Sequence, residues 1–138
     1  MTTGSNKALM SRFTDFINTA SEDLAKELIS PHAIFHVPGR PEPLQGPSGY
    51  LAIIGMMRAG FPDIQWTLDE MIAEGDKVAA RFTMRGAHKG TFFGVPASGK
   101  KIEVKAMNFY RIAEGKIVEE HGQPDLLGLL QQIGAAPI

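Results

Sequence analysis

Apolar residues recur at two different spacings along this chain, and the change of spacing divides it. In residues 5–19, Leu9, Phe13, Phe16 and Ile17 fall three or four positions apart, which predicts one amphipathic helix. Ser21 is placed to cap a second helix, which carries Leu24, Leu28 and Ile29 and stops before Pro31. Ala33 to Val37 is short and β-prone, and Pro38-Gly39-Arg40-Pro41-Glu42-Pro43 holds too much Pro and Gly for regular structure. Gly46-Pro47-Ser48 opens a third helix running to about Ala59, with Tyr50, Leu51, Ile53, Ile54 and Met57 on a broad apolar face. After Phe61-Pro62-Asp63 the period becomes two. Ile64, Trp66 and Leu68 alternate with polar residues, as do Val78, Ala80, Phe82 and Met84 beyond a turn at Glu74-Gly75-Asp76. A Gly/Pro-punctuated loop over 91–99 leads into the longest strand, Ile102 to Ile112. On it Ile102, Val104, Ala106, Asn108, Tyr110 and Ile112 share one face. A turn at Ala113-Glu114-Gly115-Lys116, a strand from Ile117 to His121 and a short helix from Asp125 to Ile133, closed by Gly134, complete the chain. Helices first and antiparallel strands afterwards predict an α+β fold.

Composition narrows this little. At 138 residues the chain is expected to form a single domain over 1–138. A chain of this length buries roughly two thirds of its unfolded surface, so its core needs neither disulfide nor metal. The absence of cysteine excludes disulfides, a thiol nucleophile and a thiolate metal site. No secretory h-region and no apolar run long enough to cross a bilayer is visible, so a cytoplasmic protein with no membrane partner is expected. Charge is nearly balanced but uneven: nine basic residues between Lys77 and Lys116 face only Glu103 and Glu114. They alternate with apolar residues along strands and no base-stacking aromatics are interleaved, so the pattern reads as a solvated sheet face and not as a nucleic-acid surface.

The second half carries a recognisable series of short motifs: Phe61-Pro62-Asp63, Gly75-Asp76-Lys77-Val78-Ala79-Ala80-Arg81, the stretch from Gly86-Ala87-His88-Lys89-Gly90 through Gly94-Val95-Pro96 to Gly99-Lys100, Tyr110-Arg111-Ile112 before Gly115-Lys116-Ile117, and Asp125 with Leu127-Gly128 and Gln132-Ile133-Gly134. In this order and spacing the chain resembles the SnoaL-like polyketide (ester) cyclases of the NTF2-like superfamily. The resemblance implies an α+β cone: a curved, mostly antiparallel sheet with N-terminal helices packed over its concave face, a short C-terminal helix, and an enclosed apolar cavity. It implies a homodimer formed through the sheet, and cofactor-free acid–base chemistry on a small, largely apolar carbonyl or polyketide-like compound, by aldol-type ring closure or isomerisation. In the best-understood members one carboxylate removes a proton next to a carbonyl and protonates the oxygen that forms. Such an acid needs a pKa raised by apolar burial. By position that acid falls on Gly122 here, and a neighbouring histidine of those cyclases falls on Asn108.

The candidate residues follow. Alternation puts Val118, Glu120 and Gly122 on one strand face, so Glu120 is the candidate acid/base, with a solvent-facing or ion-paired glutamate as the alternative. His36, before the Pro-rich loop, is a second catalytic candidate that would orient substrate with Asn108. Tyr110, His88, His121, Trp66, Phe82 and Met84 are candidates for substrate contact, each with a packing alternative. His121 should point away from Glu120, and His88 is placed to hold the Gly94-Val95-Pro96 loop. Asp125 reads as a helix N-cap. No metal site is expected: His32 and His36 are four apart, but Pro31 argues against a helix that would align them. Two competing readings remain. One is a water-activating hydrolase of the same superfamily, whose Asp-Arg-Asp trio cannot be assembled from the inward face. The other is a binding module without catalysis, favoured by glycine at 122 and opposed by a buried Glu120 near Asn108.

Overall fold

The computed structural model describes residues 3–136. Helix α1 (Thr3–Thr19) and helix α2 (Glu22–Leu28) lead into strand β1 (Ile29–His36). A short strand β2 (Leu44–Gln45) and helix α3 (Gly46–Gly60) follow, then β3 (Gln65–Glu74), β4 (Lys77–Ala87), β5 (Lys101–Ala113), β6 (Lys116–Pro124) and helix α4 (Leu126–Gln132). The strands form one six-stranded sheet in the order β2-β1-β6-β5-β4-β3. Only the β1–β6 pairing is parallel. With helices gathered on one side of this largely antiparallel sheet, the fold is the α+β NTF2-like cone.

Local chemistry explains the boundaries. The Ser21 side chain accepts from the Leu24 N–H at 3.2 Å and caps α2. Asp125 accepts from the Gly128 N–H at 2.8 Å and caps α4. Helix α2 ends earlier than its apolar pattern suggests, because Ile29 opens β1 and pairs with Ile117. Pro31 lies where the β1–β6 register is irregular, between Ile29 and Ile34, since a proline has no N–H to give to a ladder.

Two bulges shift the strict alternation. The β3–β4 register slips between Leu68 and Glu70, so the inward series of Trp66 and Leu68 continues as Met71 and Ala73. The β5–β6 register slips between Arg111 and Ile112, so Ile117, not Val118, is the buried residue before Glu120 and Gly122. On β5 the alternation is clean. Ile102, Val104, Ala106, Tyr110 and Ile112 are buried, while Glu103, Lys105, Met107, Phe109 and Arg111 stand exposed. The arginines of the outer face are paired across strands: Arg85 with Glu103 at 2.9 Å, Arg81 with Glu70 at 3.3 Å and Arg111 with Glu119 at 3.5 Å.

The inner face of the sheet packs against α1 and α3 through Phe13, Phe16, Phe35, Tyr50, Phe82 and Tyr110. A second cluster, with Phe61, Ile64, Phe92, Val104 and Leu129, closes the end nearest α4. No helix among the described residues is long and apolar enough to cross a membrane.

Candidate active site

Between α3 and the inner face of the sheet lies a cavity of about 410 Å³. Tyr50, Ile54 and Met57 from α3 form one wall, and Trp66, Met84 and Ala106 from the sheet form another. Asn108, Glu120 and Gly122 sit on the same surface, and the 37–40 segment, Phe93 and Leu126 also border the space. Apolar walls of this size with a few convergent polar groups are the usual form of a small-molecule site.

Glu120 is the buried carboxylate of this wall. It is 3% exposed, an unusual degree of burial for a carboxylate. Tyr50 donates its hydroxyl to Glu120 Oε1 at 3.0 Å. Phe13, Phe16 and Phe35 hold the Tyr50 ring in place, with centroids at 5.1, 5.8 and 4.7 Å. Burial pushes the Glu120 carboxyl up to about 7, and hydrogen bonds from the Tyr50 and Tyr110 hydroxyls pull it partly back. Burial, followed by the Glu120 charge, raises both tyrosines well above their ordinary range, so both stay protonated and act as donors.

Asn108 lies opposite Gly122 across the β5–β6 pair. Its Oδ1 accepts from the Gln123 N–H at 3.1 Å, and its Nδ2 donates to the Tyr110 hydroxyl at 3.1 Å. These two bonds fix the amide and use one of its two N–H groups. A Cβ placed on Gly122 would lie 3.0 Å from Glu120 Oε2 and 3.6 Å from Asn108 Oδ1. The Glu120 carboxylate therefore occupies the space that a short side chain at 122 would take.

The other candidate residues divide between the two faces. Trp66 and Met84 line the cavity. Phe82 and Tyr110 do not border it; both are almost completely buried in the core beside it, and Tyr110 reaches the site only through its hydroxyl. His88 is fully buried away from the cavity: Ser98 donates its backbone N–H to His88 Nδ1 at 3.1 Å, which ties β4 to the 94–99 loop. His36 does not turn inward. Phe35 takes the inward position on β1, so alternation sends His36 to the outer face, where its ring stacks on that of His121 at 4.4 Å. His121 also points out, opposite to Glu120.

Sequence reasoning missed the part played by Tyr50, which was legible only as one more apolar position on α3. The available signal was a hydroxyl-bearing ring in an otherwise apolar stripe, since a buried tyrosine O–H needs a partner. It also missed the meeting of His36, Glu119 and His121, the one group among the described residues whose His and carboxylate ligand atoms converge, all within 4.8 Å of one another.

Comparison with known proteins bears on the family and the fold. The family described as SnoaL-like polyketide cyclase matches residues 7–133. The aklanonic acid methyl ester cyclase DnrD of Streptomyces peucetius is 30% identical over 133 residues, covering 91% of this chain and 88% of its own. The structure of TsrD from Streptomyces laurentii superposes with a TM-score of 0.86 at 29% identity and covers 99% of each chain. That of IdmH from Streptomyces antibioticus superposes with a TM-score of 0.83 at 31% identity, covering 93% of this chain and 97% of IdmH.

Proposed function

The chain belongs to the SnoaL-like polyketide cyclase family, and from that premise we propose that it closes a ring in, or isomerises, a polyketide-type carbonyl compound with Glu120 as its acid/base. The observation that carries this reading is the position of the Glu120 carboxylate. It lies over Gly122, where the family resemblance puts the acid, and it faces the cavity with a pKa near neutrality. A group with such a pKa can both take and return a proton at ordinary pH.

In the aldol sense, ionised Glu120 removes a proton from the carbon next to a carbonyl. The resulting enolate carbon attacks a second carbonyl in the same molecule and forms the ring C–C bond. The oxyanion left at that second carbonyl then recovers the proton from Glu120. Atoms and charge balance with no redox partner. The Tyr50 hydroxyl holds the carboxylate through Oε1, and the Tyr110 hydroxyl also bonds the ionised form. In this reading the remaining N–H of Asn108, which borders the cavity, receives the carbonyl oxygen, and the apolar walls exclude water from the enolate. The buried carboxylate beside Asn108 supports catalysis over a binding-only module. The same reading takes the protein as a cytoplasmic homodimer joined through the β3–β5 side of the outer sheet face, where Ile72 and Met107 stand exposed, with the β1–β6 side left in solvent.

The test is turnover of aklanonic acid methyl ester, the compound named for the DnrD relative, followed by chromatography. Glu120→Gln should lower kcat by at least about a hundredfold, the usual contribution of a general acid/base. Full activity in that variant would overturn the assignment.

A further inference from the structure

We propose that the outer face of the sheet carries a binding site for a borderline-soft divalent transition metal, such as Zn²⁺ or Ni²⁺, formed by His36, Glu119 and His121. The site is separate from the cavity and does not depend on the activity proposed for it.

Three strand positions create it. Parallel pairing of β1 with β6 sets His36 directly beside His121. Glu119 precedes His121 by two residues and so shares its face, opposite to Phe35 and Glu120. His36 Nε2 lies 3.9 Å from Glu119 Oε2, and His121 Nε2 lies 3.6 Å from the same oxygen. The two rings stack with an interplanar angle of 7°, and both Nε2 atoms lie near the same carboxylate oxygen. With ligand atoms no more than 4.8 Å apart, an ion at bonding distance of about 2.0–2.2 Å requires the side chains to close by only about half an ångström. Side-chain exposures of 44% for His36 and 57% for His121 leave the rings room to turn off the stack and converge their lone pairs.

Glu119 is held from behind. Arg111 meets its other oxygen, Oε1, at 3.5 Å, which leaves Oε2 turned to the histidines. An outer partner that orients a ligating carboxylate is a regular feature of metal sites. Two imidazoles and one carboxylate select zinc, nickel or copper over magnesium and calcium, which prefer all-oxygen sets. With three protein ligands on an exposed face, a fourth position is open to water.

The experiment is calorimetric titration of tag-free protein with ZnCl₂ and with NiCl₂, using MgCl₂ as the control. One saturable site per chain is expected for zinc and nickel and none for magnesium. His36→Asn and His121→Asn should each weaken binding by about tenfold or more. The proposal is overturned if the wild type shows no saturable binding up to about 1 mM, a weak limit for such a ligand set, or if the double variant binds as the wild type does. Circular dichroism in chelator reports whether the double variant folds. If it does not, electron paramagnetic resonance of the Cu²⁺-loaded wild type decides: coupling to two imidazole nitrogens supports the site, and coupling to one or none overturns it.

Discussion

Replacing Glu120 by Gln should make the protein more stable at neutral and alkaline pH, and the size of the gain can be worked from the site. The folded carboxyl titrates at about 7 because burial denies water to its charged form, whereas its ordinary value is 4.5. Between those two values the folded state keeps a proton that the unfolded state has released. Stability therefore falls as pH rises through that window. Below it both states are protonated and the penalty is absent; above it both are ionised and the penalty is constant. At 1.36 kcal/mol per pH unit the separation amounts to about 3 kcal/mol. Gln has nearly the same shape and its carbonyl oxygen can still accept from Tyr50, so packing is retained. Whatever constant offset the substitution brings, the difference between variant and wild type should move by about 3 kcal/mol in favour of Gln from pH 4 to pH 8. Urea denaturation at half-unit pH steps measures this, and the titrations common to both proteins cancel in the difference. Parallel stability curves for the two proteins would refute the buried, raised carboxyl. A stabilised but inactive variant is the expected signature of a site that holds a costly group for its chemistry.

Two further substitutions probe the same carboxylate. Tyr50→Phe removes the donor to Oε1, and since a hydrogen bond to a charged group contributes roughly 1.5 kcal/mol, the acid limb of kcat/KM should move to higher pH by about one unit. A pH–rate profile with an unmoved limb would show that Tyr50 does not hold the ionised form. Gly122→Asp would place its Cβ 3.0 Å from Glu120 Oε2 and a second carboxylate in one buried space, so it should destabilise the fold by about 2 kcal/mol. Combining it with Glu120→Ala should recover most of that loss and part of the activity, and simple additivity of the two changes in a double-mutant cycle would contradict the shared space.

Much of the fold was readable because periodicity and burial coincide. Phe13 and Phe16 on α1 and the alternating residues of β5 face the core as their spacing predicts. The failures have local causes. Strand β2 is two residues long, too short to leave a pattern, and it exists because Leu44 and Gln45 pair with Phe35 and Ile34. Ile29 fits an apolar helix face as well as a buried strand start, and only its pairing with Ile117 decides between them. Bulges escape a strict count of two, so Val118 is mistaken for a core position that Ile117 occupies.

Orientation was legible wherever strand parity alone decides it, as for Glu120 and Asn108. Contacts were not legible where two segments distant in sequence must meet. Tyr50 lies 70 residues from Glu120, and nothing near either marks the pair. His36 shows the reverse error. Its proximity to the Pro-rich loop bordering the cavity suggested an inward side chain, but the loop borders the cavity while β1 turns Phe35 inward and His36 out. Gly122 presents the most instructive case. Compared position by position, it reads as the loss of an acid. Comparison by position matches the atoms where side chains begin, whereas chemistry depends on where they end. A glutamate two residues earlier on the same face, with one methylene more than aspartate, brings its carboxylate over residue 122, and a Cβ there would meet it at 3.0 Å. A small residue at 122 is thus what an inward Glu120 requires. In the function proposed above, Glu120 and Gly122 form one feature, an acid displaced along its strand by one pleat.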